Sequence, residues 1–236
     1  MSRSAMARED RLEDLRILPY GKGAIRAAAR AGGAIGAASA IAALLAGSAW
    51  PLLALLPAAG VPLFVVAFFR NPRRSPPAGD AFALAPADGR IVGIDASPED
   101  AFIGGPAIRI SIFMSIFDVH ANRAPCAGRV AWVEHRPGGY RNAMRARAAV
   151  ENESNAIGIV RPDGRRVVVR QIAGAIARRI VCIARPDATL RGGELIGMIK
   201  FGSRTELYVP ADGGFEVRAR RGERARAGET VLGVWR

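Results

Sequence analysis

The chain is 236 residues long and nearly lacks histidine, which occurs only at His120 and His135. Neither stands in an H-E-x-x-H pattern, and neither has a ligand spacing with the two cysteines, Cys126 and Cys182, which form no C-x-x-C. No metal is therefore expected, and two unpaired thiols fit a reducing compartment. Aromatic residues make up only 6 % of the chain and no basic run interleaves with them, so a nucleic-acid stacking platform is not expected. Lysine is confined to Lys22 and Lys200, so the formal charge of +13 is carried almost wholly by arginine. That charge attracts polyanions, and with nucleic acid set aside an anionic bilayer fits, although an arginine-rich coding bias accounts for the composition equally well.

Charge itself is missing from residues 31–69, which contain no Asp, Glu, Lys, Arg or His. At about 1.5 Å per helical residue the run is too long for one crossing of a ~30 Å hydrocarbon core and suits two. Gly47, Ser48, Trp50 and Pro51 near its middle place the break there, with a first helix near Ala31 to Ala46 and a second near Leu52 to Phe69. Lys22, Arg26 and Arg30 precede the run and Arg70, Arg73 and Arg74 follow it, so the positive-inside rule puts both ends on the cytoplasmic side. The first segment is rich in Ala and Gly, and a hairpin that only enters the bilayer is an alternative to two full spans. Residues 1–30 read as a polar, amphipathic N-terminal segment, 31–70 as the hairpin, and 71–81, with Pro72, Pro76 and Pro77, as a linker.

From residue 82 to 236 short β-branched runs alternate with Gly, Pro and Asp turns, as in Ile108 to Ile112, Arg166 to Val169 and Leu195 to Ile199. The fold class is mainly β, a β-sandwich domain behind a membrane-associated helical hairpin. Pro-Ala-Asp-Gly occurs twice, at 86–89 and 210–213, in keeping with a sandwich of two related halves. The closing Ala227 to Gly233 is similar to the last hairpin of biotinyl and lipoyl carrier domains, which share the barrel-sandwich hybrid form.

Gly202 and Ser203 follow the run at Leu195 to Ile199 and precede another at Leu207 to Val209. A serine hydroxyl can attack the carbonyl before it, and a glycine leaves that carbonyl open. An isolated Gly-Ser is far more often a plain turn. Here it stands with the uncharged N-terminal run, the Asp88-Gly89 turn and the run Phe117-Asp118-Val119-His120-Ala121-Asn122-Arg123-Ala124-Pro125. In this order and at this length the chain resembles the short bacterial form of phosphatidylserine decarboxylase, along nearly its whole extent.

That resemblance implies a proenzyme. Ser203 Oγ would attack the Gly202 carbonyl to form an ester, and elimination would leave dehydroalanine. Hydrolysis of the derived imine would then release ammonia and leave a pyruvoyl group on a small chain spanning 203–236, beside a large chain ending at Gly202. The pyruvoyl ketone takes the amine of a serine headgroup and accepts the electrons released with carbon dioxide. The resemblance also implies His120 as acid or base and Asp88 as the residue that orients it, although Asp-Gly after proline is a turn signal in its own right. Asp118 is a further partner for His120. Longer relatives carry a second histidine where this chain has Arg123, so a two-histidine division of labour does not carry over, and an anion contact is an alternative use of Arg123. Arg204 reads as a phosphate contact, Lys200 as a solvated strand residue, and Phe201, Phe113 and Met114 as pocket or core. The implied partners are phosphatidylserine, an anionic membrane and the two chains of one proenzyme, at the cytoplasmic face of the bacterial inner membrane. Oligomeric state stays open, a homo-oligomer included. The rival reading is a membrane-anchored β-sandwich adaptor or carrier-like module that leaves Gly202-Ser203 intact.

Overall fold

The structure is a computed structural model that describes residues 12, 14–100, 102–141, 148–175, 179–200 and 203–236. Gly202 and Phe201 lie outside the described residues. The chain divides into two compact units, residues 15–71 and the remainder.

The smaller unit is a helical hairpin. Its first helix, Lys22–Ala46, starts nearer the N-terminus than the edge of the uncharged run. Lys22, Arg26 and Arg30 are spaced by four, so one helical face carries all three and the helix continues through them. Gly47 ends it in the left-handed region at φ 57° and caps it with its N–H, and a 3-10 turn, Trp50–Ala54, leads into the second helix, Leu55–Phe68. Gly32 lets the two helices approach closely, since a Cβ there would run into the Ala58 carbonyl oxygen. The open end is tied by Leu18 N–H donating to Phe69 O at 2.8 Å and Asn71 N–H to Arg16 O at 2.7 Å. Pro19–Ala46 and Trp50–Phe68 are both long and apolar enough to cross a membrane.

The larger unit is mainly β, with fourteen strands among the described residues, all paired antiparallel in three sheets. The strands of the largest sheet are β2 (Gly89–Asp100), β3 (Gly105–Met114), β5 (Gly128–Arg136), β6 (Ser154–Val160), β7 (Arg166–Ile172), β9 (Thr189–Leu190), β11 (Ser203–Pro210) and β13 (Arg224–Ala225). They run in the order β13-β2-β3-β11-β7-β6-β5-β9. Smaller sheets are formed by β1 (Phe82–Leu84), β14 (Val231–Trp235) and β12 (Phe215–Val217), and by β4 (Ala121–Arg123), β10 (Leu195–Ile199) and β8 (Ile180–Cys182). Ala225 and Leu190, from the two edge strands of the large sheet, lie in one buried cluster with Ile112, Leu207, Ile196 and Leu232. The large sheet therefore curls so that both edges meet a common core, and the smaller sheets close it.

Strand alternation decides what each residue does. In β11 the side chains of Leu207 and Val209 enter the core, whereas Arg204, Glu206 and Tyr208 fall on the opposite face. Gly89 opens β2 at φ 151°, where a Cβ would meet the Phe113 carbonyl.

Cys126 is buried in this core and Cys182 is half-buried. Burial pushes the Cys126 thiol up to about 11, against the opposing pull of Arg161, and burial raises Cys182 as well. At pH 8 both thiols are held protonated by the fold, whereas free cysteines ionise near 8.5. Ellman's reagent is thus expected to label neither thiol quickly in the native protein and both after urea unfolding; rapid native labelling of Cys126 would contradict this packing.

Candidate active site

Ser203 is the first residue of β11 and not a turn residue ahead of it, as the Gly-Ser-Arg-Thr run would read alone. It is fully buried and pairs with Met114, the last residue of β3. Its hydroxyl donates to Met114 Sδ at 3.3 Å, and Thr205, two residues on and on the same face, donates to the same sulfur at 3.5 Å. A thioether is a weak acceptor, so the Ser203 proton is held lightly.

Behind the serine lies a buried amide chain that sequence reading missed. Asn122 Nδ2 donates to Thr205 Oγ1 at 3.3 Å, Gln171 Nε2 to Asn122 Oδ1 at 2.9 Å, and Asn155 Nδ2 to Gln171 Oε1 at 3.0 Å. All four side chains are buried and come from β4, β6, β7 and β11. The one signal in the sequence was an amide beside each of two apolar runs, Asn155 just ahead of Ala156 to Val160 and Gln171 two residues past Val167 to Val169.

His120, also fully buried, sits in the bend between β3 and β4. Its Nδ1 lies 2.9 Å from the Asp118 carbonyl oxygen; a carbonyl only accepts, so Nδ1 carries the proton and Nε2 is left as the basic nitrogen. Asp118 thus orients His120 through its backbone, while its carboxylate accepts the Ser115 N–H at 2.8 Å and closes the bend. The His120 carbonyl in turn accepts the Ile199 N–H at 3.2 Å. Ile199 ends β10 and Ser203 begins β11, so the histidine and the serine bracket the two ends of the segment that contains Gly202.

Asp88 is placed differently. Both carboxylate oxygens accept from Arg74 Nη2, at 2.8 and 2.7 Å, and Oδ1 also accepts the Ala227 N–H at 2.8 Å. Arg74 is further paired with Glu229 at 3.3 Å. Asp212, in the second Pro-Ala-Asp-Gly copy, is exposed and accepts the Gly214 N–H at 2.9 Å, a surface turn with no cation paired to it among the described residues. The two copies therefore do different work: Asp88 fastens the linker arm to the β domain.

Arg123 is buried, with Nη1 on Gly193 O at 2.9 Å and Nη2 on Pro72 O at 3.3 Å, so it too holds the linker. Lys200 lies past the end of β10 and is half-buried, not a solvated strand residue. Burial first, then the charge of Arg179, holds its pKa below the ordinary lysine value. Arg204 points away from the serine, pairing with Glu206 at 2.7 Å and donating to Ser111 Oγ at 2.7 Å. Tyr208 O–H donates to Glu206 Oε2 at 2.6 Å, and burial, reinforced by Glu206, pushes its pKa up to about 12.

Comparison with known proteins falls on this same region. The family profile described as phosphatidylserine decarboxylase matches residues 61–233. A phosphatidylserine decarboxylase proenzyme of Carboxydothermus hydrogenoformans is 48 % identical over 171 residues, covering 72 % of this chain and 79 % of the relative. The proenzyme of Symbiobacterium thermophilum is 43 % identical over 199 residues, covering 84 % and 91 %. That of Rhodopirellula baltica is 46 % identical over 185 residues, covering 78 % and 75 %. With a match that spans both the buried serine and the histidine bend, the chain belongs to the phosphatidylserine decarboxylase family.

Proposed function

We propose that the chain is a proenzyme that cuts itself between Gly202 and Ser203 and, as the two-chain product, converts phosphatidylserine to phosphatidylethanolamine and carbon dioxide. The observation that carries this is Ser203 itself. Within a chain of this family, it is a buried hydroxyl on the first residue of a central strand, lightly held by a thioether, at the opposite end of the Gly202 segment from a histidine with a basic Nε2.

In this reading Ser203 Oγ attacks the Gly202 carbonyl, and His120 Nε2 takes the hydroxyl proton. The Asp118 carbonyl keeps the imidazole in the required tautomer throughout. Asp88 enters as the residue that tunes the base, in keeping with the Pro86 to Gly89 turn; because Arg74 occupies its carboxylate, the arm has to yield before Asp88 can serve a histidine.

The site suits a pyruvoyl group derived from Ser203. Its two carbonyl oxygens need donors, and the neighbours of the serine supply hydroxyl and amide donors in Thr205 and Asn122, with no carboxylate among the described residues that hydrogen-bond to the serine or to Thr205. Once formed, the group supplies a ketone for the headgroup amine and an electron sink for decarboxylation. The remaining work falls to the chain: the buried wall around Met114 excludes water and His120 holds a proton.

The hairpin exposes apolar side chains that water would penalise, including Leu44 at 82 % and Leu45 at 84 %. In this reading a bilayer covers them, and the flanking arginines favour the cytoplasmic face of the inner membrane for the helix ends. For the β unit we favour a barrel-sandwich hybrid, in keeping with one core shared by all three sheets.

Intact mass spectrometry of the purified protein, paired with conversion of phosphatidylserine in mixed micelles, tests the proposal. Expected are two chains, the smaller beginning at position 203, blocked at its amino end and lighter than a free serine allows, together with released carbon dioxide. An uncut chain that still binds micelles without turning lipid over would favour a membrane-anchored adaptor instead.

A further inference from the structure

The face of the large sheet turned away from Ser203 carries a second feature. A groove of about 630 Å³ runs along β2 and β3 and is lined by Arg90, Arg109, Arg204 and Arg221, with Asp95 the one carboxylate among the described residues that line it. Beneath it Glu206 neutralises Arg204, and Asp95 pairs with Arg109 at 3.2 Å. Arg90 gives Nη1 to the Gly222 carbonyl at 2.7 Å, and Arg221 forms no ion pair among the described residues. The groove therefore keeps two arginine charges in excess of its carboxylates.

Its floor is short of acceptors as well. Arg204 is 7 % exposed, and its recorded bonds to Ser111 Oγ and Glu206 Oε1 both use Nη2. Its Nε is buried without an acceptor, and so is the Nε of Arg109. Buried guanidinium N–H groups without partners carry a desolvation cost that an oxyanion in the groove would remove. Two such donors beneath two rim arginines match a tetrahedral oxyanion with several acceptor oxygens better than a single carboxylate.

We propose that this groove is a phosphate-binding site, separate from the catalytic pocket, that takes the phosphate of an anionic phospholipid headgroup or free inorganic phosphate. Ser203 and Arg204 are neighbours in one strand but face opposite sides of the sheet, so an anion held by Arg204 does not occupy the space next to Ser203. The site is defined by the groove alone and stands whether or not the chain cleaves itself.

The test uses the full-length chain in micelles of uncharged detergent. Binding is measured by calorimetry for inorganic phosphate and for micelles doped with phosphatidylglycerol, a phosphodiester lipid without the serine amine. An Arg90→Gln/Arg221→Gln variant alters two exposed rim side chains and gives up one surface hydrogen bond, that of Arg90 to the Gly222 carbonyl, and circular dichroism checks that it folds. An Arg166→Gln/Arg185→Gln variant removes the same charge from exposed positions elsewhere. The wild type is expected to bind at least one probe about tenfold or more tightly than the rim variant, with the control unchanged. Tight binding of the doped micelles but not of phosphate identifies a headgroup site; binding of phosphate with no gain from the lipid identifies a free-anion site. Equal binding by wild type and rim variant, or equal losses in rim and control variants, would overturn the proposal, as would no binding of either probe. Self-cleavage, followed on the same samples, reports separately on the catalytic reading.

Discussion

Replacing Ser203 with alanine is expected to leave the chain as a single 25.0 kDa species and to reduce lipid decarboxylation to background. The change removes one hydroxyl, its bond to Met114 Sδ and nothing else from the core. An intramolecular hydrogen bond contributes about 1 kcal/mol net, and a weak sulfur acceptor no more, so the variant should fold. Loss of cleavage in a folded variant then isolates the nucleophile. Three measurements suffice: intact mass, far-ultraviolet circular dichroism and released carbon dioxide. Continued cutting of the Ser203→Ala chain at the same place would remove Ser203 from the mechanism; cutting without decarboxylation would separate processing from lipid chemistry.

The second large effect concerns stability. Glu206 is fully buried on the outer face of β11, where it meets Arg204, Tyr208 O–H and Ser111 Oγ at 2.7, 2.6 and 3.4 Å. Glu206→Ala leaves a guanidinium that is 8 % exposed without its counter-charge and a phenol without its acceptor. Breaking a buried pair from one side costs roughly 3–5 kcal/mol, because the remaining ion stays desolvated. The expected result is a large drop in the urea midpoint of the uncut Ser203→Ala precursor with little change in the slope of the transition. Glu206→Gln keeps an acceptor for Tyr208 and should lose less. If Glu206→Ala shifts the midpoint no more than a substitution at an exposed position such as Arg185→Ala, the buried pair is not supporting the strand.

Much of this architecture could be read from residue patterns. The uncharged run announced two helices and the Gly47 to Pro51 break between them, because charge is costly in an apolar layer and proline resists a continuous helix. The charge pattern misplaced the start of the first helix, since it marks the edge of a hydrophobic layer and helical hydrogen bonding runs past it. The β-branched runs announced strands, yet Gly-Ser-Arg-Thr concealed that β11 begins at Ser203. What makes it a strand is pairing with β3 on one side and β7 on the other, a long-range effect that local propensity does not carry. Ser203 and His120 stood out only beside the family pattern. The amide chain from Asn122 to Asn155 was invisible for the same reason as β11, as its members meet only after four strands have assembled. Arg74 was legible as a membrane-exit cation, but nothing nearby in sequence pointed to Asp88 as its partner.

The position of β11 has one more consequence. A cut ahead of Ser203 would create a new chain end inside the molecule without creating a detachable piece. Everything after the cut is woven into what precedes it: β11 lies between β3 and β7, β13 borders β2, and β14 borders β1. Release of the C-terminal portion would demand unzipping the centre of an eight-stranded sheet, so the processed protein behaves mechanically as one nicked body. A catalytic group made at that new end would be as firmly mounted as any residue in an unbroken strand, and fragments made separately would have no ready route to join.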